Sequence, residues 1–519
     1  MRRRQLHRRR WTRYKMRQEL EFTISREAEN LHREPLVVPC DTERLYIKVE
    51  LPDEFRYMSF IILEDPDGHI RLQKQLAWGD QDLCVGKGPK DTTIGGVPGR
   101  IQPGTWQVGL GIFTEYLHQR LGDQRGCITM TVSDGEGPVS DPMGGLAWVE
   151  DTLEISPEKY RWDKVYGTKK QWYKGDFHTH TRLSDGKEPL ENAMKKAEDM
   201  GMDFYVPTEH NLMHTGWCDT SLCILPGIEV TTDKGHMNLF GITKLPERIL
   251  DIVAHNGEEI VDSYMEETIR EARENHWITS INHPFLTIWK WRYDQTDLDD
   301  IDCLEIINDP TYTDAKDSNE KAVRFLDALW QDGHRIYGVG GSDSHNLIEE
   351  RYEGADLPSI PGDPATWVCC GELTPDNLMA AVKAGHMCVT RFCRMTPVIH
   401  GGGRIFLPGD ELPEDVSRIT IQALIEGLSE KPEVSLVRNG VSQKLEVEEL
   451  GGGKWEVLAE AELEEEKWQW MRLDVRSRER EFLGYTNPVF RGQAPSRYRT
   501  FGEIKKTMDD LNYDQRNII

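Results

Sequence analysis

The chain has 519 residues, 38% of them hydrophobic and 29% charged, with a net charge of −26. That length predicts about three domains with room for a real core, and the composition is that of an ordinary globular protein. The acidic balance argues against wrapping a nucleic-acid duplex, because phosphate binding needs a positive surface.

Residues 1–34 read as a basic N-terminal arm. Arg2, Arg3, Arg4, Arg8, Arg9, Arg10, Arg13, Lys15 and Arg17 fall together with no acid among them, as in a solvated, disordered segment. The arm lacks the apolar stretch of a signal peptide, and no apolar run approaches bilayer length. No membrane is therefore expected. Ten cysteines without a C-x-x-C pair suit a reduced, cytoplasmic protein with buried thiols.

Residues 35–150 read as a β-sandwich. Leu45, Ile47, Val49 and Leu51 alternate with Tyr46, Lys48 and Glu50, and Trp106, Val108, Leu110 and Ile112 repeat the pattern. Asp65-Pro66-Asp67-Gly68, Gly95-Gly96 and Pro103-Gly104 supply the turns.

From 165 to 395 the texture is strand–helix alternation. Helical stripes run through Leu190, Ala193, Met194 and Ala197, through Ile260, Tyr264, Met265, Ile269 and Ala272, and through Ala322, Val323, Phe325, Leu326 and Leu329. Strand-like runs at 203–206, 223–230, 277–281, 303–307 and 336–339 lie between or beside them. Such βα units favour a parallel sheet or barrel. Residues 396–492 return to alternation, with a hairpin turn at Asn439-Gly440, and read as a second small β domain. Residues 493–519 read as a polar tail.

Metal-ligand residue types recur where these runs end. Residues 175–186, GDFHTHTRLSDG, place His178 and His180 on one face of a strand, with Asp185 on the turn beyond. Thr208-Glu209-His210-Asn211, Glu229, His236, Asn282-His283-Pro284 and Gly341-Ser342-Asp343-Ser344-His345 follow in order. Strand ends of a (β/α) barrel converge on one mouth. Six histidines and three carboxylates are thus expected to share one site. Imidazole mixed with carboxylate suits Zn²⁺, Mn²⁺ or Fe²⁺, whereas Mg²⁺ and Ca²⁺ prefer oxygen shells.

These motifs resemble those of the polymerase and histidinol phosphatase (PHP) metallohydrolases. Asp176–Gly186 matches D-x-H-x-H-T-x-x-S-D-G position by position, and the later G-x-E, H-P and G-S-D-x-H signatures have counterparts. The flanking β domains and Thr486-Asn487-Pro488-Val489 look like the carbaryl-hydrolase (CehA/McbA) branch. One departure is Glu209, where the family usually has Asp. The resemblance implies an α/β fold: a distorted (β/α)7 barrel over 165–395, flanked by N-terminal and C-terminal β-sandwiches. It also implies a di- or trinuclear site. His178, His180, Glu229 and Asp343 would hold one metal. Glu229, bridging, with His236 and His283 would hold a second, and Asp185, His210 and His345 a third.

The expected activity is hydrolysis of a phosphoester on a nucleotide or other small molecule, by a hydroxide that bridging metals make available near neutral pH. Glu229 and Asp343 are the candidate catalytic carboxylates, and Arg182, Arg391 and Arg394 the candidate anion-holding groups. The alternative is hydrolysis of a carboxyl ester, carbamate or amide, with Trp289, Trp291 and Tyr293 lining an apolar leaving-group pocket. A third reading, a non-catalytic scaffold that binds a partner through the basic arm or β domains, is disfavoured because all nine ligand positions hold competent residue types. Nucleic acid is expected only as a short substrate.

Overall fold

A computed structural model describes residues 16–510 apart from 26, 58, 114–121 and 466. Residues 1–15 of the basic arm, which carry eight of the nine basic residues named above, lie outside the described residues. The rest of that arm is not a solvated tail. Arg17–Ile24 and Leu31–Val38 are strands, with Leu20, Phe22 and Ile24 buried while Glu19 and Glu21 face out. The charges hid a period of two that extends the sandwich toward the N-terminus.

This sandwich packs two antiparallel four-stranded sheets. One has the order Arg17–Ile24, Gly126–Ser133, Leu45–Glu50, Gln81–Val85, and the other Leu31–Val38, Gly104–Ile112, Ser59–Glu64, Ile70–Gln75. The alternating residues Leu45, Ile47, Val49, Trp106, Val108 and Leu110 form its core.

The central strands are β1 (Gln171–Thr179), β2 (Phe204–Pro207), β3 (Gly227–Thr232), β4 (Gly235–Phe240), β5 (Ile278–Ile281), β6 (Cys303–Asn308), β7 (Tyr337–Gly341), β8 (Ala365–Cys370) and β9 (Met387–Thr390). The helices are α1 (Leu190–Asp199), α2 (Ile249–Ala254), α3 (Ile260–Glu274), α4 (Ala315–Gln331), α5 (Pro375–Lys383) and α6 (Phe501–Asp510). The stripes at Leu190, Ala193, Met194 and Ala197, and at Val323, Phe325, Leu326 and Leu329, are buried. Thr374 caps α5 by accepting from the Asn377 N–H at 3.0 Å, and Pro375 opens that helix.

These elements overturn the expected (β/α)7 barrel. Strand accounts for 39% of the described residues against 16% helix, and the six α-helices among them are too few for seven βα units around a barrel. Only Asp233 and Lys234 separate β3 from β4, and the two pair antiparallel. A parallel crossover needs a dozen residues or more. Strand β5 pairs antiparallel with β4, and β8 antiparallel with β1. Parallel pairing survives at β1–β2, β5–β6 and β6–β7. The run 223–230 is two strands, broken at Leu225-Pro226.

The C-terminal β region shares a sheet with this centre. Strand β9 pairs with Phe482–Thr486, so one eleven-stranded sheet runs from β1 into the strands beyond 430. A five-stranded sheet, ordered Arg404–Phe406, Arg394–Gly401, Arg418–Glu426, Lys454–Glu462, Val447–Gly451, packs on it. Asn439 and Gly440 take φ of 48° and 81° in the expected hairpin turn. The expected polar tail also changes: α6 buries Phe501, Ile504 and Met508, whose spacing makes one apolar face against α4. Among the described residues no helix is long and apolar enough to cross a membrane.

Candidate metal centre

Every one of the nine sequence-predicted ligand positions lies at one place, where β1 and the sheet β3–β4–β5–β6–β7 meet. Isolated bridges, Thr179 to Ser344 and His210 to Glu229, join the two sheets there. His178 lies near the end of β1, His180 just past it, and Asp185 sits on the following turn. A side chain at Gly186 would meet the His180 carbonyl oxygen at 2.3 Å, so this close approach requires glycine. His210 follows β2, Glu229 and His236 lie diagonally across the β3–β4 hairpin, where Glu229 pairs with Asn238 and Thr231 with His236, His283 follows β5, and Asp343 and His345 follow β7.

Glu229 is the hub. Its carboxylate lies 3.3 Å from His178 Nε2, 2.7 Å from His210 Nδ1, 3.1 Å from His236 Nδ1 and 3.5 Å from His283 Nε2. Asp343 Oδ1 lies 3.3 Å from His178 Nε2, 3.0 Å from His180 Nε2 and 3.6 Å from His345 Nδ1. Asp185 Oδ1 lies 3.3 Å from His345 Nε2 and 3.7 Å from His210 Nε2. Four groups of ligand atoms result: His180, Asp185, His210 and His345; His178, His180 and Glu229; His178, His283 and Asp343; His210, Glu229 and His236. The partition differs from the allocation carried over by resemblance, because His283 groups with Asp343 and His236 with His210.

The donors fit a divalent transition metal. His178 Nε2, His180 Nε2, Asp185 Oδ1, Glu229 Oε2 and His283 Nδ1 are buried with no hydrogen bond, although opposite charges stand within contact distance. Buried polar atoms left so are costly unless another partner takes them, and imidazole with carboxylate is a borderline donor set. The charge states agree in part: burial lowers His178, His210 and His345, but the carboxylates facing them outweigh it and raise all three, so a bound cation would have to displace those protons. Burial raises the Glu229 carboxyl, but His178, His236 and His210 outweigh it and hold it well below the usual range. Asp343 behaves likewise beside His178 and His180. Burial, then His345 and His210, lowers His180 to about 4. Burial also lowers His236 to about 4 against Glu229. Anionic carboxylates and neutral imidazoles are the forms that coordinate.

A ring of residues that sequence reading missed holds these groups. Glu305 lies 3.0 Å from His178 Nδ1 and accepts from the His283 N–H at 2.8 Å. Asn282 Nδ2 donates to Glu229 at 2.8 Å, and Thr231 Oγ1 lies 2.7 Å from His210 Nδ1. Such partners fix the tautomer and orientation of a ligand. Glu305 was findable as the one acid in the apolar run 303–307. Asn211, His283, Asp309 and Asp343 take positive φ of 55°, 28°, 27° and 50°, strain of the kind that gathers at functional sites.

Glu209 orients and does not ligate. Its carboxylate accepts from the N–H groups of Thr181 and Ser184 at 3.0 and 3.1 Å, from the Thr181 hydroxyl at 2.6 Å and from the Ser184 hydroxyl, and lies 2.9 Å from His214 Nε2. It therefore shapes the turn that carries Asp185. Glu209→Ala should weaken metal binding about 10–100-fold, as loss of an outer partner does. A metal titration followed by calorimetry would read this, and unchanged affinity would show that the turn holds its shape without Glu209.

The three candidate arginines do not point into the cluster as free cations. Arg182 donates to Asp141 at 2.6 Å, Arg391 makes a two-pronged pair with Asp363 at 2.7 and 2.8 Å, and the exposed Arg394 lies 3.6 Å from Glu426. Each meets an acid distant in sequence, which no local pattern announces. Trp291 and Tyr293 are core residues, whereas Trp289 is half-buried beside Tyr312, which in turn meets Tyr352 edge-on.

The chain matches no protein-family model and no curated protein sequence.

Proposed function

We propose that this chain is a divalent-metal-dependent hydrolase, with small phosphoesters as its first substrate class. The observation that carries the reading is the convergence of six imidazoles and three carboxylates on one cluster, in which the buried atoms His178 Nε2, His180 Nε2, Asp185 Oδ1 and Glu229 Oε2 lack hydrogen bonds. The resemblance of residues 176–186 to the PHP signature supports the same reading. His178, His180, Asp185, His210, Glu229, His236, His283, Asp343 and His345 would hold two or three ions of Zn, Mn or Fe. Bound there, such ions supply Lewis acidity toward the scissile group and a nucleophile available near neutral pH. Glu229 keeps the imidazoles at one focus, Glu305 and Asn282 fix His178 and Glu229, and His178, His180 and Glu229 are buried while Asp185, His210, Asp343 and His345 stay partly exposed on the side a substrate could enter. Ten free cysteines, eight of them buried, support a reducing, cytoplasmic setting.

A second reading, hydrolysis of a carboxyl ester, carbamate or amide, is favoured by two observations. Arg182, Arg391 and Arg394 are already engaged by acids, and Trp289, Tyr312 and Tyr352 form a half-buried aromatic row. Tyr352 donates to Asp309 at 2.6 Å, and Asp343 is near enough to perturb it. With the three candidate arginines engaged by acids, a singly charged phosphodiester suits the cluster better than a doubly charged monoester. On metal-loaded protein, bis-p-nitrophenyl phosphate should be cleaved faster than p-nitrophenyl phosphate, and both faster than p-nitrophenyl acetate. Cleavage of the acetate alone would select the second reading. Cleavage of none would remove both.

A further inference from the structure

We propose that the N-terminal sandwich is a working part of the metal centre, with Lys74 as a positioning residue for the turn that presents Asp185. The inference rests on the metal-centre reading above. Lys74 lies on the strand Ile70–Gln75, and its side chain is 0% exposed, which is rare for lysine without a dedicated task. Its ammonium donates to the backbone carbonyl of Arg182 and stands 3.2 Å from Asp141 Oδ2. Asp141 in turn accepts from Arg182 Nε, and the Arg182 guanidinium lies 4.9 Å over the Trp78 ring. One buried cation thus joins the backbone and, through Asp141, the side chain of the same residue, three positions before Asp185.

A second grip is independent of that charge. The Gln75 N–H donates to the Leu183 carbonyl at 3.0 Å. Gly95, at φ +77°, lies so close that a Cβ there would stand 2.4 Å from Leu183 Cδ1 and 2.2 Å from the Gln73 carbonyl. The sandwich therefore fixes residues 182 and 183 from one side, while Glu209 fixes Thr181 and Ser184 from the other. Held between them, Asp185 faces His345 and His210. Burial lowers the Lys74 ammonium, and Asp141 opposes this. Among the groups of ligand atoms at the centre, only the one with Asp185 depends on this turn.

The test is a Zn²⁺ titration of the whole chain carrying Lys74→Met, beside Gly95→Ala, which leaves every charge in place but pushes on Leu183. Folding is checked by circular dichroism. In a folded variant one metal equivalent should lose affinity about 10–100-fold while the others are kept. A folded variant with wild-type affinity for every equivalent would overturn the proposal. Hydrogen exchange on the metal-free wild-type chain covers the case in which both variants fail to fold. The amides of Gln75, Thr181 and Ser184 should be protected before metal is added; free exchange until metal arrives would mean that the metal orders the turn, and would overturn the role of Lys74. Failure of the metal-centre reading itself looks different: the wild-type chain would bind no Zn²⁺ at all.

Discussion

Glu229→Gln should abolish most of the hydrolytic activity, by on the order of 10³-fold or more, because it removes the charge around which the site is arranged. The effect should exceed the ~10–100-fold expected for outer partners such as Glu209. Glu229 lies within 3.5 Å of nitrogens from His178, His210, His236 and His283, on four different segments. Glutamine keeps the size and the Asn282 hydrogen bond but offers neutral atoms where cations would be shared. The variant should fold, bind less metal and lose kcat and kcat/KM together. Retention of wild-type kcat/KM in a folded Glu229→Gln chain would show that chemistry, if any, occurs elsewhere.

The largest stability effect is expected far from that site, at Asp327. This α4 residue accepts from Arg472 Nε and the second terminal nitrogen, both at 2.8 Å, and Arg472 is 3% exposed. Arg472 also donates to Asp474 at 3.1 Å and stacks over Tyr485 at 4.6 Å. Arg476 repeats the tie by pairing with Asp474 at 2.7 Å and with Glu320 of α4. These pairs fasten α4 to the strand Gln469–Arg476. Asp327→Ala leaves a buried guanidinium short of an acceptor, a loss of about 3–5 kcal/mol. Urea unfolding followed by tryptophan fluorescence should report it, since Trp330 and Trp470 pack edge-on at the same seam. A change below about 1 kcal/mol would place the pair in the class of solvated surface bridges.

The candidate ligand positions were legible because each depends on short-range spacing: H-x-H on a strand, then single donors just past apolar runs. The same locality explains the failures. Strand-like runs were read as βα units, but nothing local says that β3 and β4 turn back after two residues unless the connection length is counted. Arg17–Ile24 and α6 were missed because neighbouring charge masked the buried faces of Leu20, Phe22, Ile24, Phe501 and Ile504. The acid partners of the arginines were not legible, because Asp141, Asp363 and Glu426 reach them only through the fold. Lys74 gave no signal at all: a single lysine in a strand reads as its solvent face, and only the packed structure shows it enclosed.

Elemental analysis of the purified wild-type chain, beside Glu229→Gln and with thermal unfolding before and after chelation, addresses the centre most directly. The expected result is two or three equivalents of Zn, Mn or Fe per chain, reduced in the variant. Re-added metal at ~100 times its Kd should stabilise the chelated wild type by about 2.7 kcal/mol. A wild-type chain that carries no transition metal, and whose unfolding does not respond to added Zn²⁺, Mn²⁺ or Fe²⁺, would contradict a metal centre at Glu229.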